Sequence, residues 1–240
     1  MLITDLNMEE FEEGLKKTRT IVLPFGSVEE HGRHLPLGTD TLQMYEIAKL
    51  AAQRRPLFVA PPVFYGLCRS TREHPGTVSI RGQTLRALLL DLLESYHRQG
   101  LRNFLVLSGH AGGTHIAYLI DAAEEFLERV EGVKIAVASI LDLLREGALD
   151  LLETPRDSHA GEFETSLMLH FFPDLVKGTS PEEYPAFPKP ILVRHKRRFW
   201  PGGVWGDPSK ASAEKGKMFA ERLAKVICGL ATKIESMEEI

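Results

Sequence analysis

Short apolar, β-branched runs alternate along this chain with longer stretches whose apolar residues recur every three or four positions. A short helix is expected near Met8 to Lys17, then a strand at Thr20 to Phe25. Leu42, Tyr45, Ile47, Ala48 and Leu50 mark one face of a helix over about Thr41 to Gln53. A strand at Leu57 to Val63, a polar loop "YGLCRSTREHPGT" and a short strand at Thr77 to Ile80 follow. The pattern then predicts a helix from Gln83 to Arg98 closed by Gly100, a strand in "NFLVLSGH" and a helix from about Thr114 to Arg129. A strand at Lys134 to Ile140 leads into a short helix ending near Glu146. "DSHAGEFETSLMLHFFP" reads as a loop feeding a helix that stops before Pro173, and "SPEEYPAFPKPI" as an ordered surface crossing or oligomer arm. A last helix runs from about Ser209 to Ile234.

Parallel strands need crossover connections, and helices usually supply them. The alternation therefore predicts an α/β protein: one layered α/β/α domain over residues 1–240 with a mostly parallel central sheet. Ligands of such sheets bind beyond the carboxyl ends of the strands. The polar clusters fall there. "GSVEEHG" follows the first strand, "REHPGT" lies in the loop after the second, and "SGHAGG" ends a later one.

Composition narrows the function classes. The chain is 43% hydrophobic and 26% charged, ordinary for a globular protein. Its net charge of −4 offers no overall basic field for nucleic acid or an anionic membrane. The basic run "RHKRRFW" reads as a solvated loop, a subunit contact or a phosphate site. Cys68 and Cys228 form no CxxC pair, which predicts neither a disulfide framework nor a thiolate zinc site. With no signal peptide or long apolar span, a cytoplasmic protein is expected.

Glu29 and His31, separated by one residue, project to the same side of an extended backbone and can share a ligand. Glu30 points the other way, as a surface or supporting carboxylate. Asp40 is a candidate helix N-cap or a ligand; His110, at a strand end before Ala111, Gly112 and Gly113, a hydrogen-bonded histidine or a ligand. "DSHAGEFETS" offers His159, Glu162 and Glu164, the last two also suited to a first helical turn. Mixed imidazole and carboxylate donors suit zinc, manganese or iron. Glu29, Asp40 and Glu164 carry −3. One divalent ion leaves −1, whereas two leave +1 for a bound hydroxide to neutralise, which favours two.

"LPFGSVEEHGRHLPLGTD", "HPGT", "SGHAGG", "HAGEFETSLML" and "GGVWGDPSKASAEKG" occur in this order from about Thr20 to Gly216. Together they resemble the creatininase, or creatinine amidohydrolase, family. The resemblance implies a layered α/β fold, often a hexamer, with a binuclear metal centre that hydrolyses cyclic or linear amide C–N bonds. It implies Glu29, His31, Asp40 and His110 as ligands, Asp40 as the bridge, Glu164 as a fifth ligand and His159 as proton carrier. Glu162 is a second candidate for that last role. Where creatininase has Tyr and a Glu ligand after the histidine, this chain has Ala111 and Gly112. Ser108 and Gly113 stand where the family more commonly has asparagines, and Leu141 and Pro155 align with two creatinine-packing tryptophans. These departures point to a small-molecule amide other than creatinine.

Around this centre, His74 is expected at the substrate mouth or as a loop-stabilising histidine, and His34 in a supporting or solvent-facing role. Trp200 and Trp205 are expected as a hydrophobic wall or as packing. Alternatives within the family are a formyl-pyrimidine nucleotide deformylase and a peptidase acting on a modified-peptide precursor. The alternative outside it, a nucleotide- or flavin-binding α/β protein, lacks both the GxGxxG turn and the GxxxxGK[ST] loop.

Overall fold

The computed structural model describes residues 1–238. Among them, one parallel sheet has strand order β2-β1-β3-β4, formed by β1 (Thr20–Phe25), β2 (Phe58–Val59), β3 (Asn103–Ser108) and β4 (Lys134–Ser139). The crossovers are helical: α2 (Thr39–Arg54) from β1 to β2, α3 (Gly82–Arg98) from β2 to β3, and α4 (Gly113–Arg129) from β3 to β4. Helix α1 (Met8–Leu15) precedes β1, while α5 (Ile140–Gly147), α6 (Glu162–Phe171) and α7 (Ala213–Ser236) follow β4.

Strand alternation sends side chains to opposite faces of the sheet, and each face carries its own core. Val22, Leu105 and Leu107 pack with α2, α5, α6 and α7 through Met44, Ile47, Leu143, Phe163, Phe219 and Leu223. Ile21, Leu23, Phe104 and Val106 pack on the other side with α3 and α4 through Leu85, Leu89, Leu93, Leu119 and Phe126. Fully burying one such Leu, Ile or Phe side chain contributes about 1.5–3 kcal/mol. The layered α/β/α arrangement predicted from the sequence is the one observed.

Three elements differ most from expectation. The strand predicted at Leu57 to Val63 shrinks to Phe58–Val59, because Pro61 and Pro62 have no N–H to continue a ladder. Pairing returns only as a bridge from Val63 to Phe25. The strand predicted at Thr77 to Ile80 reduces to a bridge between Val78 and Val28. The last helix starts at Ala213 rather than Ser209; Pro208–Lys210 form a separate 3-10 turn, and the Ser212 side chain caps α7 by accepting from Lys215 N. The Pro-rich crossing is ordered on Phe187, which packs against Phe199, Trp200 and Trp205.

Two glycines fix the first turn of α2 against the strand ends. A Cβ on Gly26 would lie 2.2 Å from Thr41 Oγ1, and one on Gly109 would lie 1.9 Å from the Asp40 carbonyl oxygen. These close approaches set Asp40 between the ends of β1 and β3. Gly109→Ala is therefore expected to destabilise the fold by about 1–3 kcal/mol through overpacking, and to displace Asp40. Denaturant unfolding alongside metal analysis reads both effects.

Candidate metal centre

Backbone from four places meets at the carboxyl edge of the sheet. The turn after β1 brings Glu29 and His31, the first turn of α2 brings Asp40, the residue pair after β3 brings His110, and α6 brings Glu164. All five are buried, none more than 6% exposed. His31 Nε2 lies 3.0 Å from Asp40 Oδ1 and 3.6 Å from Glu164 Oε2. His110 Nδ1 lies 2.7 Å from Glu29 Oε2 and 3.2 Å from Asp40 Oδ2. Asp40 thus presents one oxygen to each of two donor groups.

The donors fit divalent ions. Tetrahedral zinc with bonds near 2.0–2.2 Å separates its ligands by about 3.4 Å, comparable with the spacings within each group. The remaining hydrogen bonds aim the rings. His31 Nδ1 donates to the Glu29 carbonyl at 3.0 Å and His110 Nε2 to the Leu67 carbonyl at 3.2 Å. That leaves one lone pair per imidazole directed at the carboxylates, the arrangement that orients metal-ligating histidines. The carboxylates are held in turn. Ser27 Oγ donates to Asp40 Oδ2 at 2.6 Å, Thr71 Oγ1 donates to Glu29, and Glu164 accepts from Gln43 Nε2 at 3.1 Å and from Ala160 N at 2.6 Å. Ala160 adopts φ +48°, a left-handed conformation uncommon for a residue with a Cβ.

Without an ion, protons on the imidazoles offset part of the carboxylate charge. Burial opposes charge on His31, but Asp40, Glu164 and Glu29 raise its pKa to about 10. His110 is likewise raised well above the usual value: burial opposes this, and Glu29 and Asp40 outweigh it. Burial acts to raise Asp40, yet the two imidazoles hold it well below the ordinary carboxylate range. A cation at either imidazole would replace a proton that the carboxylates already favour.

His159 lies beside the cluster, its ring centroid 4.2 Å from that of His31. Nε2 donates to the Glu30 carbonyl at 2.8 Å, and Trp200 packs edge-on at 5.0 Å. Burial and His31 disfavour its protonated form, but Glu30, Glu29 and Glu164 outweigh them and raise its pKa. Glu162 is not brought to the centre. Residues two apart on an α-helix lie about 200° around it, so with Glu164 pointing into the centre Glu162 points away from it, still fully buried. Its carboxylate accepts from Glu153 N, Thr154 N and Lys215 Nζ, at 3.0, 2.7 and 2.7 Å.

The other histidines hold loops together. His34 is buried between Ser180 Oγ at 2.9 Å and Thr165 Oγ1 at 2.8 Å, and burial lowers its pKa to about 4. His74 bridges the carbonyls of Thr71 and Trp200. Glu30 is buried rather than exposed: Oε2 accepts from Gly32 N at 3.0 Å, while Oε1 has no hydrogen-bond partner and lies 3.7 Å from His159 Nε2. One donor was invisible in the sequence. Cys68 sits with Glu29 and His110, their ligand atoms within 4.8 Å of one another, although a lone cysteine carries no spacing signal. Burial, joined by the acids beside it, pushes its thiol up to about 12.

Fold and donor set together define an α/β protein with a candidate histidine–carboxylate metal site at the sheet's carboxyl edge. The chain belongs to the creatininase family, matching the creatinine amidohydrolase family over residues 4–231, and is a hydrolase of that family. It is 28% identical to creatinine amidohydrolase of Pseudomonas putida, over 92% of each chain. It is 32% identical to the mycofactocin precursor peptide peptidase of Mycolicibacterium smegmatis (strain ATCC 700084 / mc(2)155), covering 90% of this chain and 84% of that one. A 3-dehydro-scyllo-inosose hydrolase of Thermotoga maritima is 28% identical over 91% of this chain and 78% of its own. A creatininase structure with manganese superposes with TM-score 0.86 at 26% identity, and a mutant creatininase of the Zn-Zn type with TM-score 0.85 at 26% identity, each over 97% of both chains. No helix among the described residues is long and apolar enough to cross a membrane.

Glu162→Gln is expected to weaken the contact with Lys215 and lower stability by about 1–3 kcal/mol while leaving metal content unchanged. Thermal unfolding and metal analysis of the same preparation separate this outcome from a role in the centre.

Proposed function

We propose that this protein hydrolyses an amide C–N bond of a small molecule at a centre of two divalent ions, zinc or manganese. Glu29 and His110 would hold one ion, His31 and Glu164 the other, and Asp40 would bridge them. The observation that carries the reading is the placement of the two Asp40 oxygens, one against each imidazole. Bound ions of this kind lower the pKa of water and polarise a carbonyl oxygen. The chain's own groups supply the rest.

Glu29, Asp40 and Glu164 provide charge matched to two ions, and Ser27, Thr71, Gln43 and Ala160 N fix their orientations before any ligand arrives. His159 moves the proton. With Nε2 committed to the Glu30 carbonyl, Nδ1 is the nitrogen that accepts a proton during attack and returns it to the departing nitrogen. Trp200 and Trp205 form one wall of a cavity of about 330 Å³, a volume suited to a small molecule. The named activities of the relatives differ while their identities to this chain are similar, so substrate choice rests on that cavity. Purified protein offered creatinine, formylated nucleotides, other small amides and short peptides tests the reading; cleavage of peptides alone would contradict it.

Asp40→Asn, nearly isosteric, is expected to lose metal and activity together. His159→Ala is expected to lower kcat by about 10²–10⁴ with metal content retained. Elemental analysis beside steady-state kinetics checks both, and metal loss in His159→Ala would remove the distinction between ligand and proton carrier.

A further inference from the structure

The cavity has a second chemistry at its mouth. Arg69 and Lys189, both exposed, and the half-buried Lys196 line it together with the buried Glu29, Asp40 and Glu164. Among the described residues none of these three cations has a salt-bridge partner, so no acidic side chain of the chain neutralises them at the cavity. The backbone that carries Lys196 is anchored. Glu73 receives His195 Nδ1 at 2.9 Å and Arg197 N at 3.2 Å, which pins the 3-10 turn Lys196–Arg198 onto the loop after β2. Partial burial, then the neighbouring Arg69 and Arg72, lower the pKa of Lys196.

The N-terminus of α4 faces the same space: Gly112, Gly113 and Thr114 line the cavity, and Gly112 at the N-cap offers no side chain to the helix amides. The floor does not require these cations. Two divalent ions would by themselves outweigh its three carboxylates. Three unpaired positive charges and an uncapped helix end therefore await an anion that the protein itself does not supply.

We propose that the substrate carries an oxyanion, a phosphate or carboxylate, seated on Arg69, Lys189, Lys196 and the α4 N-terminus while its amide reaches the floor of the cavity. This rests on the amidohydrolase reading above and narrows it to anionic small amides. The short basic run around Lys196 then belongs to the substrate site rather than to a surface that meets nucleic acid.

Calorimetric titration of inorganic phosphate into the metal-loaded protein, repeated with Arg69→Ala/Lys196→Ala, tests the proposal. Phosphate affinity is expected to fall about tenfold or more for each cation removed, with metal content unchanged. Lys189→Ala, on an exposed loop, supplies a second variant whose folding is not at stake. Acetate run in parallel assigns the group: tighter phosphate binding selects a phosphate, tighter acetate binding a carboxylate. No binding of either anion, or equal affinity in wild type and variants, overturns the proposal.

Neutral amides and their phosphorylated or carboxylated counterparts form the companion assay. Preference for the anionic forms that disappears in the double variant supports the inference. Anionic amides hydrolysed no faster than their neutral counterparts, or at a rate the double variant leaves unchanged, overturn this inference alone. Rim-dependent anion binding without hydrolysis of any amide overturns the amidohydrolase reading and leaves the anion site standing.

Discussion

One carboxylate organises the molecule's chemistry. Asp40 stands between two imidazoles, with Oδ1 toward His31 and Oδ2 toward His110, and the rest of the centre divides according to which oxygen it faces. That placement depends on close packing of backbone. Gly26 and Gly109 let the first turn of α2 press against the ends of β1 and β3, and any larger residue there would push Asp40 out of line. A sheet with apolar helices on both faces thus ends in a buried polar cluster. Burying three carboxylates is costly unless opposite charge accompanies them. Protons on His31 and His110 supply part of that charge without an ion, and divalent cations would supply more of it.

Much of this was legible in the sequence because its signals are local. Glu29 and His31 two residues apart, Asp40 entering a helix, and His110 ahead of glycines each mark a strand end, and the parallel sheet brings those ends together. The helix pattern also contained the answer for Glu162, since a residue two positions from an inward Glu164 must face away, toward Lys215. β2 could have been shortened in advance from Pro61 and Pro62. Other features depend on pairings that only the folded chain makes. Cys68 lies 39 residues from Glu29 in sequence and joins it only through the loop after β2. His34, three residues beyond His31, is occupied by Thr165 and Ser180 from distant segments.

The departures from creatininase acquire a setting. Ala111 and Gly112, in place of a tyrosine and a carboxylate ligand, leave the N-terminal end of α4 open to the cavity. In the same cavity Arg69, Lys189 and Lys196 converge from two loops without acidic partners. The family resemblance implies the residues of the floor; on the proposal above, the mouth is where this chain's own residues select the substrate.

Anomalous diffraction from crystals equilibrated with zinc or manganese addresses the central claim most directly. The account predicts two peaks about 3.5–4 Å apart, one on each side of the Asp40 carboxylate, with Glu29 and His110 around the first and His31 and Glu164 around the second. A single peak that leaves one Asp40 oxygen without an ion, or no peak among these residues, would contradict it.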